Sequence, residues 1–335
     1  MAKAPGRNDR EGLTIKELFA RFPTEEAAQE WFEKQLWPDG RFCPHCGSRH
    51  TTETKSGRHP MPYRCYDCNR YFSVRKGTIL ERSPIPLRDW AIAIYMHLTS
   101  LKGVSSMKLH RDLGVTQKTA WFMLQRIREA FKRDDDQDPM SGPVEIDEVY
   151  LGGLRKNMSN TKRAELAGAG SAVGKEIVVG VKDRVTRQVR VRHVQHADTT
   201  SLSNFITGKV QAGATVYSDE AAVYFALRNW YRHESVNHSA GEYVRQQAHT
   251  NGIESFWSML KRAHKGVYHK FSAKHLHRYI AEFAGRHNVR DAGTLTQMEG
   301  LAAAMRGKRL KYKWLIADNG LASGARAGKE AETVS

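Results

Sequence analysis

The sequence predicts an α+β, multidomain chain in which a small cysteine-bearing unit and a helical region precede an α/β domain. Three observations carry that expectation. All four cysteines fall between positions 43 and 68, helical periodicity dominates as far as residue 133, and strand-like segments begin at Val144. The expected segments are an N-terminal helical stretch (1–36), the cysteine unit (37–80), a helical region (84–133), a linker (134–143), the α/β domain (144–290) and a basic, partly disordered tail (291–335).

Residues 13–36 carry apolar residues at helical spacing, interrupted at Pro23, and Thr24 before acidic residues reads as the N-cap of a second helix. The cysteines form Cys43-x-x-Cys46 and Cys65-x-x-Cys68, eighteen residues apart. That spacing suits two knuckles closing on one tetrahedral Zn2+. Pro44 and Gly47 supply turn chemistry in the first knuckle, Asp67 and Asn69 in the second. Four thiolates leave no open position, so the zinc is structural, and the neighbouring His45 and His50 are read as surface residues. A disulfide framework belongs to short secreted chains. This chain has 335 residues, and its charged start, Met1 to Thr14, lacks an apolar signal core, so a reducing cytosol is expected.

Pro84 and Pro86 break the chain before a helical stretch, Leu87 to Leu101. Residues 105–131 have the form of a helix-turn-helix: Ser105 or Ser106 caps the first helix, Gly114 supplies the turn and Thr116 caps the second. Any two-helix packing unit with a glycine in its turn fits the same pattern. Asp134 to Asp138, followed by Pro139, Gly142 and Pro143, reads as a linker of solvated acids. Strands are expected at Val144–Leu151, Glu176–Lys182, Gln188–Val194 and Thr215–Ser218, the second and third forming a hairpin that turns at Asp183–Thr186. A basic, glycine-rich loop, Gly152–Gly174, joins the first two. Helices are expected at Asp198–Val210, at Glu220–Leu227, from near Thr250 with Ile253, Phe256, Trp257 and Leu260 on its apolar side, and at Ala273–Phe283. Disorder is expected at Gly320–Ser335.

With 53 Lys+Arg against 36 Asp+Glu the net charge is +17, which favours a polyanionic partner through counterion release. A membrane surface competes less well: there is no basic amphipathic anchor, and the longest apolar stretch, Trp90 to Leu98, is about half a bilayer span. Against that basic background three acids stand out. Asp147 lies inside a strand, Asp219 ends another, and Glu254 is on a helix. A carboxylate in an apolar strand is costly unless compensated, and divalent cations compensate it. Two Mg2+ ions roughly 4 Å apart clamp a phosphodiester, and a few oxygen ligands hold them. Strand alternation turns Glu148 to the face opposite Asp147. From Ser255 to Lys313 there are thirteen Lys+Arg and three Asp+Glu, with Phe256, Trp257, Tyr268 and Tyr279 interleaved, and Arg306–Lys313 (RGKRLKYK) extends this basic run. Such a run suits a DNA-backbone track.

The cysteine ribbon, GVTQKTAWFMLQRIREA, VEIDEVYLGG, VYSDEAAVY and HTNGIESFWSMLKR follow in this order between Arg41 and Arg290. Together they resemble the ISXO-like family of insertion-sequence transposases, with an N-terminal zinc ribbon and a DDE catalytic domain. The resemblance implies an RNase H-like catalytic fold, cleavage at the element's ends and transfer of the freed 3′-hydroxyl into target DNA with two Mg2+ or Mn2+ ions. It makes Asp147 and Asp219 the first two catalytic acids and implies Glu or Asn at the third position, where Glu254 is assigned because an anionic ligand holds Mg2+ better than an amide carbonyl. Asn251, three residues earlier on the same helical face, is the alternative third ligand. Lys261, seven residues after Glu254, is assigned to DNA together with Arg262, Lys265, Lys118 and Arg126. The implied partners are the terminal inverted repeats and target DNA, with a homo-oligomer assembled on DNA in the cytoplasm at the nucleoid. Two other readings fit the same residues: a zinc-ribbon regulator with an inactive catalytic relic, and a structure-selective nuclease on the same fold.

Overall fold

The computed structural model describes residues 10–54, 59–132, 138–152, 158, 160–167, 173–219, 222–236 and 249–323. The chain divides into two compact units. The first comprises Met1–Asp138, Arg187–Val189 and Ala281–Leu315, and the second Pro139–Thr186, Arg190–Ile280 and Ile316–Ser335. Asp134–Gln137 of the expected linker, most of the tail beyond Gly320, parts of the glycine-rich loop, and Glu220 lie outside the described residues.

The first unit opens with α1 (Ile15–Arg21) and α2 (Glu25–Leu36). Thr14 and Glu17 form a reciprocal capping box on α1, and the Thr24 hydroxyl accepts the Ala27 N–H on α2, as its sequence foretells. A three-stranded antiparallel sheet follows: β1 (Thr51–Glu53), β2 (Tyr63–Cys65) and β3 (Tyr71–Phe72). Helix α3 (Leu87–Thr99) begins after Pro86, which has no capping side chain. Glu25 of α2 takes over that task, accepting the N–H groups of Leu87 (2.7 Å) and Arg88 (2.9 Å). Then α4 (Ser106–Leu113) and α5 (Gln117–Phe131) form the expected helical pair. Ser105 and Thr116 cap them, and Gly114 takes the left-handed turn at φ 66°. Phe22, Phe32, Phe72, Trp90, Ile94, Leu124 and Ile127 are buried in one continuous core, so the N-terminal helices, the sheet and the helical pair fold as a single body.

The second unit is built on β4 (Val144–Leu151). A short helix, α6 (Asn160–Glu165), interrupts what sequence suggests is a plain loop. Next come β5 (Glu176–Asp183), β6 (Val189–Val194), α7 (Thr199–Thr207), β7 (Thr215–Asp219), a 3-10 helix (Ala222–Asn229), β8 (Arg232–Val236), α8 (Asn251–Ala263) and α9 (Ala273–Asn288), whose residues from Ala281 on belong to the first unit. The sheet order is β6-β5-β4-β7-β8, with β4 antiparallel to β5 and parallel to β7, and β7 parallel to β8. This is the RNase H-like arrangement. The hairpin turn is held by Asp183, whose carboxylate accepts the N–H groups of Val185 and Thr186, both at 2.8 Å.

Side-chain alternation on β4 divides the unit's chemistry. Val144 and Ile146 pack with Val179, Val181, Leu202, Phe205 and Tyr224 on one face. The opposite face receives α8. Gly180, in register with Asp147, permits that approach: a Cβ there would lie 2.6 Å from the Trp257 ring. Three differences from the sequence reading stand here. The 3-10 helix replaces the expected α-helix at Glu220–Leu227, β8 was not anticipated, and α9 runs on to Asn288.

After α9 the chain contributes α10 (Thr294–Ala303) and α11 (Tyr312–Ile316). The expected basic tail at 291–335 needs correction accordingly. Met298, Leu301, Ala302 and Met305 are buried in the first unit's core beside Phe32, Trp90 and Leu124, so this segment is integral to that core.

Candidate active site and zinc centre

The two C-x-x-C pairs sit on matched knuckles. In the first, Gly47 (φ 79°) turns so that its N–H reaches the Cys43 carbonyl at 2.8 Å; in the second, Asn69 (φ 57°) takes the same left-handed conformation. Only glycine or a short polar residue such as asparagine occupies that region readily, which is the physical content of the two sequence positions. The four sulfurs lie within 4.8 Å of one another, with Cys43–Cys68 and Cys46–Cys65 both at 3.6 Å. A tetrahedron with Zn–S bonds of about 2.3 Å places its sulfurs about 3.8 Å apart, so the donor set fits one structural Zn2+. His50 is exposed and pairs with Asp67 at 3.1 Å, while half-buried His45 lies outside the sulfur cluster.

In the second unit Asp147 is half-buried on the central strand β4, Asp219 ends β7 beside it, and Glu254 is on the first turn of α8. Burial pushes the Asp147 carboxyl up, and the carboxylates of Glu148, Asp219 and Glu254 push it further, to about 7. The N–H of Glu148, donated to Asp147 Oδ1 at 2.9 Å, offsets part of this. Sequence-distant acids therefore share one electrostatic neighbourhood, although among the described residues only the cysteines close to within 4.8 Å. Glu148 lies on the other face, as alternation requires. There it accepts the hydroxyl of buried Tyr224, and burial raises its pKa. Behind Asp219, the buried Ser218 hydroxyl meets His233 Nε2 at 2.8 Å and donates to the Asp219 carbonyl at 2.7 Å, fixing the strand's end.

Helix α8 has no side-chain cap from its own N-cap residue, Thr250. Its start is held instead by Glu145, which sequence reasoning missed. Buried Glu145 lies two residues before Asp147 on the same face and accepts the Ile253 N–H at 2.8 Å. Arg184 Nε donates to Glu145 at 2.8 Å, and another Arg184 nitrogen donates to the His249 carbonyl. Lys182 Nζ donates to the Gly252 carbonyl at 2.9 Å. A Cβ on Gly252 would fall 2.5 Å from a Glu145 oxygen, so this close seat requires glycine. The network fixes the turn that carries Asn251 and Glu254, both exposed; Glu254 also accepts the Thr250 hydroxyl at 2.7 Å. The available signal was a second acid at strand spacing from Asp147.

Of the basic residues assigned to DNA, Lys261, Arg262 and Lys265 are exposed on α8 and on the π-helical turn His264–Tyr268 that continues it. Lys118 is exposed on α5, its ammonium 4.8 Å from the Tyr312 ring. Arg126 is a correction. It is 7% exposed, donates to the Glu81 carbonyl at 3.2 Å and stacks over Phe122, so it braces the core of the first unit. Burial lowers its pKa to about 10.

A thiolate ribbon joined in one chain to an RNase H-like sheet with acids at two adjacent strands defines a class: transposases with an RNase H-like domain. Residues 139–288 match the ISXO2-like transposase domain and residues 23–71 the transposase zinc-ribbon domain. A Halobacterium salinarum protein, described as an uncharacterized protein in transposable element ISH50, is 30% identical over 279 residues, covering 80% of this chain and 92% of that one. The chain belongs to the ISXO2-like family of zinc-ribbon transposases. No helix among the described residues is long and apolar enough to cross a membrane.

Proposed function

We propose that this transposase binds the ends of an insertion sequence and catalyses their cleavage and the joining of the freed 3′-hydroxyl to target DNA. The observation that carries the reading is Asp147, on the central strand, its carboxyl raised to about 7 by burial and by Glu148, Asp219 and Glu254. A half-buried carboxyl raised first by burial and then by neighbouring acids suits divalent cations. Asp147, Asp219 and Glu254 would hold two Mg2+ or Mn2+ ions, with Asn251 the alternative to Glu254. Bound there, the ions activate the attacking oxygen and stabilise the leaving one. In the first step a water oxygen bonds to phosphorus and the bond to the 3′-oxygen breaks, leaving a 3′-hydroxyl. In the second, that 3′-oxygen bonds to a target phosphorus and displaces the target's own 3′-oxygen. Lys261, Arg262 and Lys265 hold backbone phosphates along α8. The ribbon and the α4–α5 pair bind the terminal repeats, and two ends are brought together by a homo-oligomer acting on DNA in the cytoplasm.

The test is strand transfer by the zinc-loaded full chain with Mg2+ and a labelled duplex carrying the element's end. Asp147→Asn is expected to lower joining at least about a thousandfold while duplex binding persists. Joining at the wild-type rate by this variant overturns the assignment. Products cut but never joined, with wild-type protein, would instead identify a nuclease.

A further inference from the structure

The segment Arg306–Lys313 carries five cations in eight residues and no acid. In the first unit it forms an extended arm along α5. Lys308 Nζ donates to the Ala130 carbonyl at 3.0 Å and to the Lys132 carbonyl, at the end of α5. Four residues on, the Tyr312 ring meets Phe122 edge-on at 5.5 Å and takes the Lys118 ammonium at 4.8 Å. Nine helical residues rise about 13 Å, and four extended residues span about the same, so the arm runs antiparallel to the helix. Its root is tied to the end of the zinc ribbon, where the Gly307 N–H reaches the Gly77 carbonyl at 2.9 Å and Arg306 bridges Thr78.

The arm gathers cations beside the start of α5, where Gln117 and Lys118 are exposed. The Lys311 ammonium sits 4.5 Å from the Trp314 ring, which is 50% exposed, and Arg306 and Lys313 are exposed too. The nearby acid is already engaged: buried Glu81 pairs with Lys76 at 3.0 Å and Arg309 at 2.8 Å. Arg309, Lys313 and Arg82 crowd Lys311 and lower its pKa. Like charges so crowded are relieved by a polyanion, and an indole beside an ammonium suits sugar and phosphate contact.

We propose that the arm and the first half of α5 form one duplex-backbone site, with Lys118, Lys311, Lys313 and Trp314 touching phosphate and sugar. The site deepens the reading of the chain as a DNA binder and rests on it. It makes the C-terminal arm part of the same surface as the helix-turn-helix.

The experiment uses the zinc-loaded full chain and a fluorescent duplex of about 30 bp and arbitrary sequence, titrated across salt concentrations. Reversing charge with Lys311→Glu and Lys313→Glu together is expected to weaken binding at least about tenfold and to flatten the logarithmic salt slope by about two. Trp314→Ala should weaken binding a few-fold with the slope kept, and Lys16→Glu, on exposed α1, should change neither. If the reversal disturbs folding, as read by zinc content and thermal melting, Lys313→Gln carries the test with a slope lower by about one. Wild-type affinity and slope in the reversed variant overturn this site and leave the transposase reading standing. No duplex binding by the unaltered chain overturns both.

Discussion

Each unit buries acids, and it treats them in opposite ways. In the first, Glu282 is wholly buried on α9. Burial opposes its ionisation, and the guanidiniums of Arg128 (2.8 Å) and Arg286 (3.2 Å) offset that, holding the carboxyl below its ordinary range, with His97 Nε2 3.2 Å away. In the second, burial pushes Asp147 up and three further carboxylates add to the push. The difference teaches what each cluster is for. A carboxylate supplied with guanidiniums from its own chain is an element of packing, whereas a carboxyl raised by neighbouring acids is what the proposed cation site needs.

The largest effect expected from this contrast is on the first cluster. Glu282→Ala leaves two guanidiniums buried without their anion, and should cost about 3–5 kcal/mol in urea unfolding. Unchanged stability would break the comparison. Glu145→Ala sharpens it from the second unit, because Glu145 there is an acid paired with the guanidinium of Arg184. Losing its bonds to Ile253 and Arg184 should cost about 1.5–3 kcal/mol and slow strand transfer, with duplex affinity kept. Equal stability and rate would remove Glu145 from the positioning of α8.

The smallest effect concerns pH. Burial pushes the His97 imidazole down to about 3. The unfolded chain takes up its proton near pH 6.5, so between those values it binds more protons than the folded one. Stability contributed by neutral His97 is therefore full above about pH 6.5 and declines as pH falls toward 3, by about 2 kcal/mol at pH 5. Unfolding followed from pH 7 to 5 should show this slope, and His97→Gln should flatten it. A slope of opposite sign would mean that a charged imidazole helps to neutralise Glu282.

What the sequence discloses is what local chemistry dictates. The knuckles, the caps at Thr24, Ser105 and Thr116, and the turn at Gly114 each follow from a residue's own backbone preference. Asp147 and Asp219 were legible as carboxylates in or ending apolar strands, and the structure adds that burial and then neighbouring carboxylates raise Asp147. The rest depends on distant partners. Arg126 on α5 resembles a DNA contact until the Glu81 carbonyl, forty-five residues away, is known to receive it. Strand β8 (RHESV) has too few apolar residues to announce itself and exists because β7 pairs with it. Helix α10 follows a short segment, RHNVRDAG, and its place in a core is set by α3, some two hundred residues earlier, and by α2, earlier still. Glu145 could have been read from its two-residue offset from Asp147, but its role needs α8 in place.

The course of the chain through the first unit bears on synthesis. A ribosome delivers α1 to α5 first, yet Met298, Leu301 and Met305, which fill the gaps among those helices, emerge only after the strands of the second unit. The amino-terminal half waits, its apolar faces partly bare, while the whole RNase H-like sheet is being made. The first unit is thus completed only after the second unit's strands have been made, and a product terminated before α10 carries a ribbon without the full core that supports it.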